Sequence, residues 1–370
     1  MHRTRPAPGA NLAALRDHNT ALVLGLLRAA GAQGASRAQL ADRTGLTPQA
    51  VSKITARLRA AGLADAAGRR ASTGGKPATV LRLLPAAGHA IGAHLDRDTL
   101  TVTLVDLAGT ELATRTAPLD LGAGAETVLT AVAAEVDGLL GPDVPRDTLL
   151  GAGVAVPGPL DHRGGVLRRV TGFPQWDGFP LRDALAERLG LPVAVDKDTN
   201  AAALGLLRRL SGPGGPGTPV ESFACLHLGT GLGAGLVLGG AVHRGARTGA
   251  GEFGHQVLQL DGPPCACGGR GCLEALCLAA VAAGDTARAA RLLGTGAAGL
   301  VRLLDIDLVL LGGRTVLADP APYLAGVSAV LTEDATRSGR ETPVGVAPSG
   351  PRAVVEGAAE LVLAPVFGGG

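Results

Sequence analysis

The stretch Gly251-Glu252-Phe253-Gly254-His255, followed by Cys265-Ala266-Cys267-Gly268-Gly269-Arg270-Gly271-Cys272-Leu273-Glu274, holds one imidazole, three thiols and two carboxylates. Thiolate and imidazole are the preferred ligands of a structural zinc ion, which takes four in a tetrahedron. His255, Cys265, Cys267 and Cys272 supply four. Cys265 and Cys267 flank one small residue, Ala266, so a single tight turn can aim both sulfurs at a metal. Gly268, Gly269 and Gly271 let the backbone curl back and bring Cys272 to the same point. The competing reading is a glycine-rich turn with incidental cysteines, or a disulfide. Zinc is preferred because four ligands converge and the chain reads as cytosolic, where thiols stay reduced.

Two further stretches could do chemistry. Asp198, in Val195-Asp196-Lys197-Asp198-Thr199-Asn200, falls between a strand and a helix. A carboxylate there can accept a proton from a hydroxyl, and it is equally suited to cap a helix. Leu228-Gly229-Thr230-Gly231-Leu232-Gly233-Ala234-Gly235 is a glycine-rich turn between strands. Its backbone N–H groups could approach a phosphate, although a tight hairpin explains it as well.

The pattern Glu252-x-Gly254-His255, nine residues, then Cys265-x-Cys267-Gly268-x-x-Gly271-Cys272-x-Glu274 resembles the signature of the ROK family of repressors, open reading frames and sugar kinases. The resemblance runs from about residue 20 to the C-terminus. It implies that zinc shapes a sugar pocket and that Glu252, His255 and Glu274 reach the sugar hydroxyls. It also implies that Asp198 corresponds to the catalytic base of the kinases and holds the sugar. Three departures follow. The family normally has Asn before that base, and here the residue is Lys197. An ammonium beside Asp198 would favour the ionised carboxylate and weaken it as a base, or would pair with an anionic effector such as a sugar phosphate. The kinases also need an Asp-x-Gly-x-Thr loop on their first strand. The corresponding stretch is Ala93-His94-Leu95-Asp96-Arg97-Asp98-Thr99, with no glycine after Asp96 and with bulky Arg97 and Asp98. The first phosphate loop is therefore lost. Gly229, Thr230 and Gly231 are left as a vestigial phosphate loop, Asp198 as a vestigial base, and ATP is not expected. Lastly, the family has a longer helical segment than the one between Cys277 and Leu300, which implies a shortened second lobe.

The first part of the chain reads as a DNA-binding head. Residues 1–18 are an Arg-, Pro- and Ala-rich tail. Thr20 to Ala30 forms a first helix with Leu22, Val23, Leu26 and Leu27 on its buried side. Ser36 and Gln39 make a capping box for a second helix that ends near Thr44, and Gly45 turns the chain. Thr47 caps a third helix with Pro48 at its first position, where the missing N–H costs nothing. Val51, Ile54 and Leu58 fall on one side of it, and Gln49, Ser52, Lys53 and Arg57 mostly on the other. Gly68 to Pro77 and the strand Ala78 to Leu83 complete a winged helix-turn-helix over residues 19–85. The third helix would read base edges through Gln49, Ser52, Lys53 and Arg57. Arg69, Arg70 and Lys76 on the wing would contact phosphate. A three-helix module that binds protein is the competing reading. Residues 1–85 carry thirteen Lys or Arg against three Asp, a net +10, and the remainder carries 21 basic against 29 acidic residues. A basic module on an acidic body favours a polyanion partner for the head alone. The segment, with its Thr73-Gly74-Gly75-Lys76-Pro77 wing, also resembles the DNA-binding domain of ROK repressors.

From Gly88 onward, hairpin-rich strands and helices occur twice, at 90–210 and at 222–311, with a glycine- and proline-rich loop at 211–217 between them. This repeat predicts an α/β fold of two lobes, of the actin-like, ribonuclease-H-like type, divided as 86–201 and 202–370 with the zinc motif in the second. In such an architecture the ligand sits between the lobes. Trp176 reads as a packing residue near the cleft, and Cys225 and Cys277 as core thiols.

Composition sets the bounds. The chain has 370 residues, enough for two or three domains, and is 46% hydrophobic. Aromatics make up only 2%, which excludes broad base-stacking platforms. No apolar signal core follows the N-terminus, and the longest uncharged apolar run, Leu228 to Val242, is too short to span a bilayer. The expectation is a cytoplasmic, zinc-containing, sugar-responsive regulator, in all a homodimer or higher homo-oligomer. It would bind double-stranded operator DNA and a sugar or sugar-phosphate effector and no membrane, and would most readily act as a repressor of carbohydrate genes such as those for xylose. An ATP-dependent, glucokinase-like sugar kinase carrying a DNA-binding head is the alternative. A zinc-stabilised interaction module without either activity is the third.

Overall fold

The computed structural model describes residues 18–70, 78–141, 144–211 and 220–368. The tail at 1–17, the wing tip at 71–77 with Lys76, and most of the 211–217 loop lie outside the described residues.

Local signals build the head. Helix α1 (His18–Ala30) leads through the short strand β1 (Ala35–Ser36) into α2 (Arg37–Thr44) and α3 (Pro48–Ala60). The Ser36 hydroxyl accepts the Gln39 N–H at 3.2 Å and the Gln39 side-chain oxygen accepts the Ser36 N–H at 2.9 Å, so the capping box is formed. Gly45 ends α2 in the left-handed region, and the Thr47 hydroxyl caps α3 through Ala50. Val51, Ile54 and Leu58 are buried. On α1 the buried stripe is Val23, Leu24 and Leu27, whereas Leu22, expected inside, is 36% exposed. The stripe follows the turn-to-turn spacing of three and four residues, which Leu22 does not share with Leu24 and Leu27. Strand β2 (Ala64–Arg70) pairs with β3 (Ala78–Leu83), and β3 with β1, to give the wing sheet. Strand β2 has no β-branched residue, so nothing in its composition announced it.

The body repeats one sheet. Strands β4 (His89–Leu95), β5 (Thr99–Asp106) and β6 (Glu111–Pro118) form an antiparallel meander, and α4 (Ala125–Leu140) leads into β7 (Leu149–Val156). A small hairpin of β8 (Leu160–Asp161) and β9 (Val166–Leu167) follows, then α5 (Leu181–Leu189), β10 (Val193–Lys197) and α6 (Asp198–Ser211). The second sheet begins with the meander β11 (Phe223–Leu228), β12 (Leu232–Leu238) and β13 (Ala241–Val242). Helices α7 (Leu273–Ala282) and α8 (Thr286–Leu304), strand β14 (Leu308–Gly312), α9 (Arg314–Ala318), α10 (Pro320–Ser338), β15 (Val344–Val346) and α11 (Ala353–Leu363) complete it. The strand orders are β10-β7-β4-β5-β6 and β13-β12-β11-β14-β15. In each lobe a meander occupies one side of its first strand and two parallel strands occupy the other. The predicted two-lobed α/β fold behind a winged head is therefore the one observed.

Helices α6 and α11 lie between the sheets. Ala201, Ala202 and Leu206 of α6 and Val354 and Ala358 of α11 are buried with Ala155 of the first sheet and Phe223, Cys225 and Leu310 of the second. The backbones approach closely enough that a Cβ at Gly357 would overlap the Ala201 carbonyl oxygen. A Cβ at Gly153 of β7 would likewise meet the Ala358 carbonyl. Helix α11 thus packs on the first sheet, although the division at 201/202 assigned it to the second lobe. The reason is that its small and apolar residues face both sheets.

The same helix anchors the head. Arg28 of α1, 6% exposed, pairs through both guanidinium nitrogens with Glu360 of α11 and donates to the Ala108 carbonyl at 3.0 Å. Its guanidinium stands 4.5 Å from the centre of the Phe367 ring. Head residues Val23 and Leu27 share one apolar cluster with Val105 and Leu107 of the first lobe and Leu363 and Val366. No helix among the described residues is long and apolar enough to cross a membrane. The overlap at Gly357 predicts that Gly357→Ala destabilises the chain by about 3 kcal/mol, the upper part of the overpacking range. A urea midpoint that stays at the wild-type value would contradict this packing.

Candidate functional site

Four chain segments converge on the cleft between the lobes. The first is the metal-type motif. His255 ends a short 3-10 turn, Phe253–His255, pinned by the buried Phe253 ring. Gly254 is required there because a Cβ would strike the Leu232 carbonyl of β12. Cys272 immediately precedes α7, and Glu274 stands in the first turn of that helix. One ligand atom each from His255, Cys265, Cys267 and Cys272 lies within 4.8 Å of all the others. The Cys267 and Cys272 sulfurs are 3.8 Å apart, and Cys265 Sγ lies 3.8 Å from His255 Nδ1. A tetrahedron with metal–sulfur distances of about 2.3 Å has edges of about 3.8 Å. A disulfide would require about 2.05 Å, so the disulfide alternative does not describe this structure.

Electrostatics divides the three thiols: the hydrogen bond from the Gly269 N–H lowers Cys267, whereas the other two are raised. Burial and the two neighbouring sulfurs push the Cys272 thiol up to about 12. Burial also raises Cys265. Three sulfurs at this spacing cannot all carry negative charge unless a cation sits among them. Cys225 on β11 and Cys277 on α7 are both buried in the second lobe, and burial pushes each to about 12, as core thiols.

The second segment is the end of β10. Asp198 begins α6, and its carboxylate accepts the Thr199 N–H at 2.6 Å. Lys197 does not pair with Asp198. Its ammonium, 3% exposed, crosses to the second lobe and donates to the Ala250 carbonyl at 2.5 Å and to Glu252 at 2.9 Å. The strand ends between the two residues, so their side chains diverge. Asp196, also buried, reaches the second lobe through Arg244 at 2.6 Å. The other Glu252 oxygen faces His255 at 4.0 Å. Asp198, Glu252, His255 and Glu274 all line one cavity.

The third segment is the β11–β12 turn. Gly229, Thr230 and Gly231 line the same cavity, and Glu274 accepts the Leu232 N–H at 2.8 Å. The fourth is the β4–β5 turn, where Asp96 and Arg97 face the cleft. Across from it, Arg314 of α9 pairs with Asp98 at 2.8 Å and approaches Asp96 at 3.8 Å. The Arg314 hydrogen bond holds the Asp98 carboxyl below its usual range. Being exposed, that pair contributes about 0–1 kcal/mol. The Lys197–Glu252 bridge matters more, because the ammonium it satisfies is buried.

Three cleft residues were missed in the sequence. His94 and His227 line the cavity from opposite lobes, and Arg314 lines a neighbouring cavity that shares both histidines. Burial lowers His94, against the pull of Asp198 and Asp96, which favours the neutral imidazole. Each histidine is the penultimate residue of the first strand of its lobe, in Ala93-His94-Leu95 and Leu226-His227-Leu228. That internal repeat was the available signal. Trp176, by contrast, is a core residue, donating to the Leu121 carbonyl at 2.8 Å and meeting Phe179 edge-on at 5.1 Å.

In the head, Gln49, Ser52 and Lys53 are exposed together on α3. Arg57 is turned back to donate to the Thr20 hydroxyl of α1. Arg69 and Arg70 belong to β2, and Lys76 lies outside the described residues.

Residues 90–282 match the ROK family model. The chain belongs to the ROK family. Residues 17–71, the head as far as the end of β2, match the MarR family model. The chain is 30% identical over 240 residues to a putative xylose repressor of Caldicellulosiruptor sp. (strain Rt8B.4), covering 65% of this chain and 59% of that protein. It is 37% identical over 191 residues to a glucokinase of Thermotoga maritima, covering 50% and 56%. The chain therefore spans about three fifths of the length of the curated relatives it matches. Among solved structures, a ROK family transcriptional regulator described as a homologue of the E. coli MLC protein matches 95% of this chain and 98% of its own, with a TM-score of 0.74 at 22% identity. A ROK family glucokinase from Streptomyces griseus, in complex with glucose and AMPPNP, matches 74% and 99%, with a TM-score of 0.63 at 27% identity.

The ligand geometry predicts about one bound transition-metal ion per chain by plasma emission spectrometry. Cys272→Ala should lose it. A metal-free wild-type protein purified without chelator would contradict the assignment.

Proposed function

We propose that this ROK chain is a sugar-responsive, DNA-binding transcriptional regulator, most simply a repressor. The observation that carries the proposal is the joining of a winged head to the metal-type cleft through α11, by way of the Arg28–Glu360 pair. The relatives named xylose repressors support the same reading. In it, zinc sits on His255, Cys265, Cys267 and Cys272 and fixes the wall of the sugar site. Asp198, Glu252, His255 and Glu274 hold sugar hydroxyls, with Glu252 already tied to Lys197. When bound, the ion supplies rigidity and charge balance; the carboxylates and the imidazole make the contacts.

Gln49, Ser52 and Lys53 would meet base edges in the major groove, with Arg69, Arg70 and Lys76 on phosphates. Arg57 is better assigned to holding α1 against α3. Paired heads on a two-fold operator gain affinity and site length, so a homodimer belongs to the proposal. The head would comprise 19–85 and the two lobes the rest, with α11 shared. Sugar acts by its different affinities for two arrangements of head and body.

ATP-dependent sugar phosphorylation is the second reading, favoured by the glucokinase relatives and by the carboxylate of Asp198 in the cleft. Arg314, held by Asp98, argues against it, because its side chain stands beside Gly229 on the ground next to the glycine turn, while Arg97 lies over the Phe173 ring. Lys53→Ala should weaken operator binding about tenfold in a gel shift with the native upstream region, while leaving sugar affinity unchanged. No shift by the wild type at low salt, or sugar-dependent ADP formation at kinase rates, would overturn the proposal.

A further inference from the structure

An open cavity of about 410 Å³ lies between the head, the first lobe, α6 and α11. It shares no lining residue with the metal-type cleft. Four guanidinium groups line it: Arg28 from α1, Arg208 and Arg209 from the end of α6, and Arg352 just before α11. Three carboxylates line it as well, and each is engaged. Glu360 takes Arg28, Glu356 takes Arg209 at 3.3 Å and Arg352 at 3.5 Å, and Glu111 takes Arg352 at 3.4 Å.

Arg208 is left over. Among the described residues its side chain makes neither an ion pair nor a hydrogen bond, although it is partly buried. Burial and the like charge of Arg28 both disfavour its charge, and Glu360 only partly offsets them. The segment at 212–219 that follows α6 contains no Asp or Glu that could neutralise it. The C-terminal end of α6 favours a cation, but only weakly. A planar guanidinium with unused donors, facing a cavity that carries one excess positive charge, matches a phosphate group in shape and charge.

We infer that this cavity binds a small phosphate-bearing anion, with Arg208 as its principal contact and Arg209 and Arg352 in support. This goes beyond the sugar-responsive reading and does not depend on it, since the ligand and the cavity are different.

The test is calorimetric titration of the full chain, at constant ionic strength, with inorganic phosphate, glycerol 3-phosphate and glycerol. Both anions should bind saturably and glycerol should not. Tighter binding of glycerol 3-phosphate would identify a phosphorylated metabolite as the ligand, and equal binding would identify phosphate itself; either supports the site. Arg208→Met should weaken the anion about tenfold, the loss of one charge-assisted contact. Arg352→Gln, a change at an exposed side chain, should weaken it severalfold and decides the matter if Arg208→Met does not fold. The absence of saturable binding by either anion, or affinities unchanged in the folded variants, would overturn the inference.

Discussion

Three thiols and an imidazole drawn to one point cannot stay there on their own terms. Sulfurs 3.8 Å apart repel once ionised, and protonated they leave donors and acceptors poorly matched in a half-buried turn. A bound cation would resolve the conflict by taking all four ligands at once. The turn that carries these ligands also carries Glu252, and Cys272 immediately precedes the helix that carries Glu274. The geometry of the cleft wall is therefore tied to the metal-type cluster. Lys197 then tethers that wall to the opposite lobe through Glu252.

The duplicated sheet explains why the cleft lies where it does. The parallel side and the meander of each lobe meet at its first strand, β4 or β11, and the turns after these strands open toward each other. His94 and His227 mark equivalent places in the two lobes. Helix α6 starts in the cleft at Asp198 and runs between the sheets against α11, and α11 ends against the head. Small residues at the α6–α11 contact leave little slack, so displacement of one helix moves the other. This is a continuous packed route from cleft to head, and in the proposed function it is the element that sugar would bias.

Local chemistry was legible in the sequence and long-range pairing was not. The capping box at Ser36, the Thr47–Pro48 start of α3 and the strand from Leu149 to Val156 are each fixed by residues within a few positions. The metal-type cluster was legible for the same reason, because all its ligands fall between 255 and 272. Strand β2 went unseen because its Ala- and Gly-rich composition carries no strand preference. The elements after Gly313 were not read at all. The partner of Lys197 was misjudged because Asp198 is its neighbour in sequence, whereas Glu252 reaches it only after the lobes come together. Arg28 and Glu360 lie 332 residues apart, and no periodicity links them.

In the proposed function the cleft and the exposed face of α3 are coupled. The most direct measurement is the dissociation constant of the tightest-binding pentose or hexose, determined by calorimetry for the free protein and again with the protein saturated by operator DNA. Linkage requires the ratio of the two constants to equal the ratio by which that sugar changes operator affinity. Two different constants obeying that equality are expected. Identical constants, with and without DNA, would contradict the coupling.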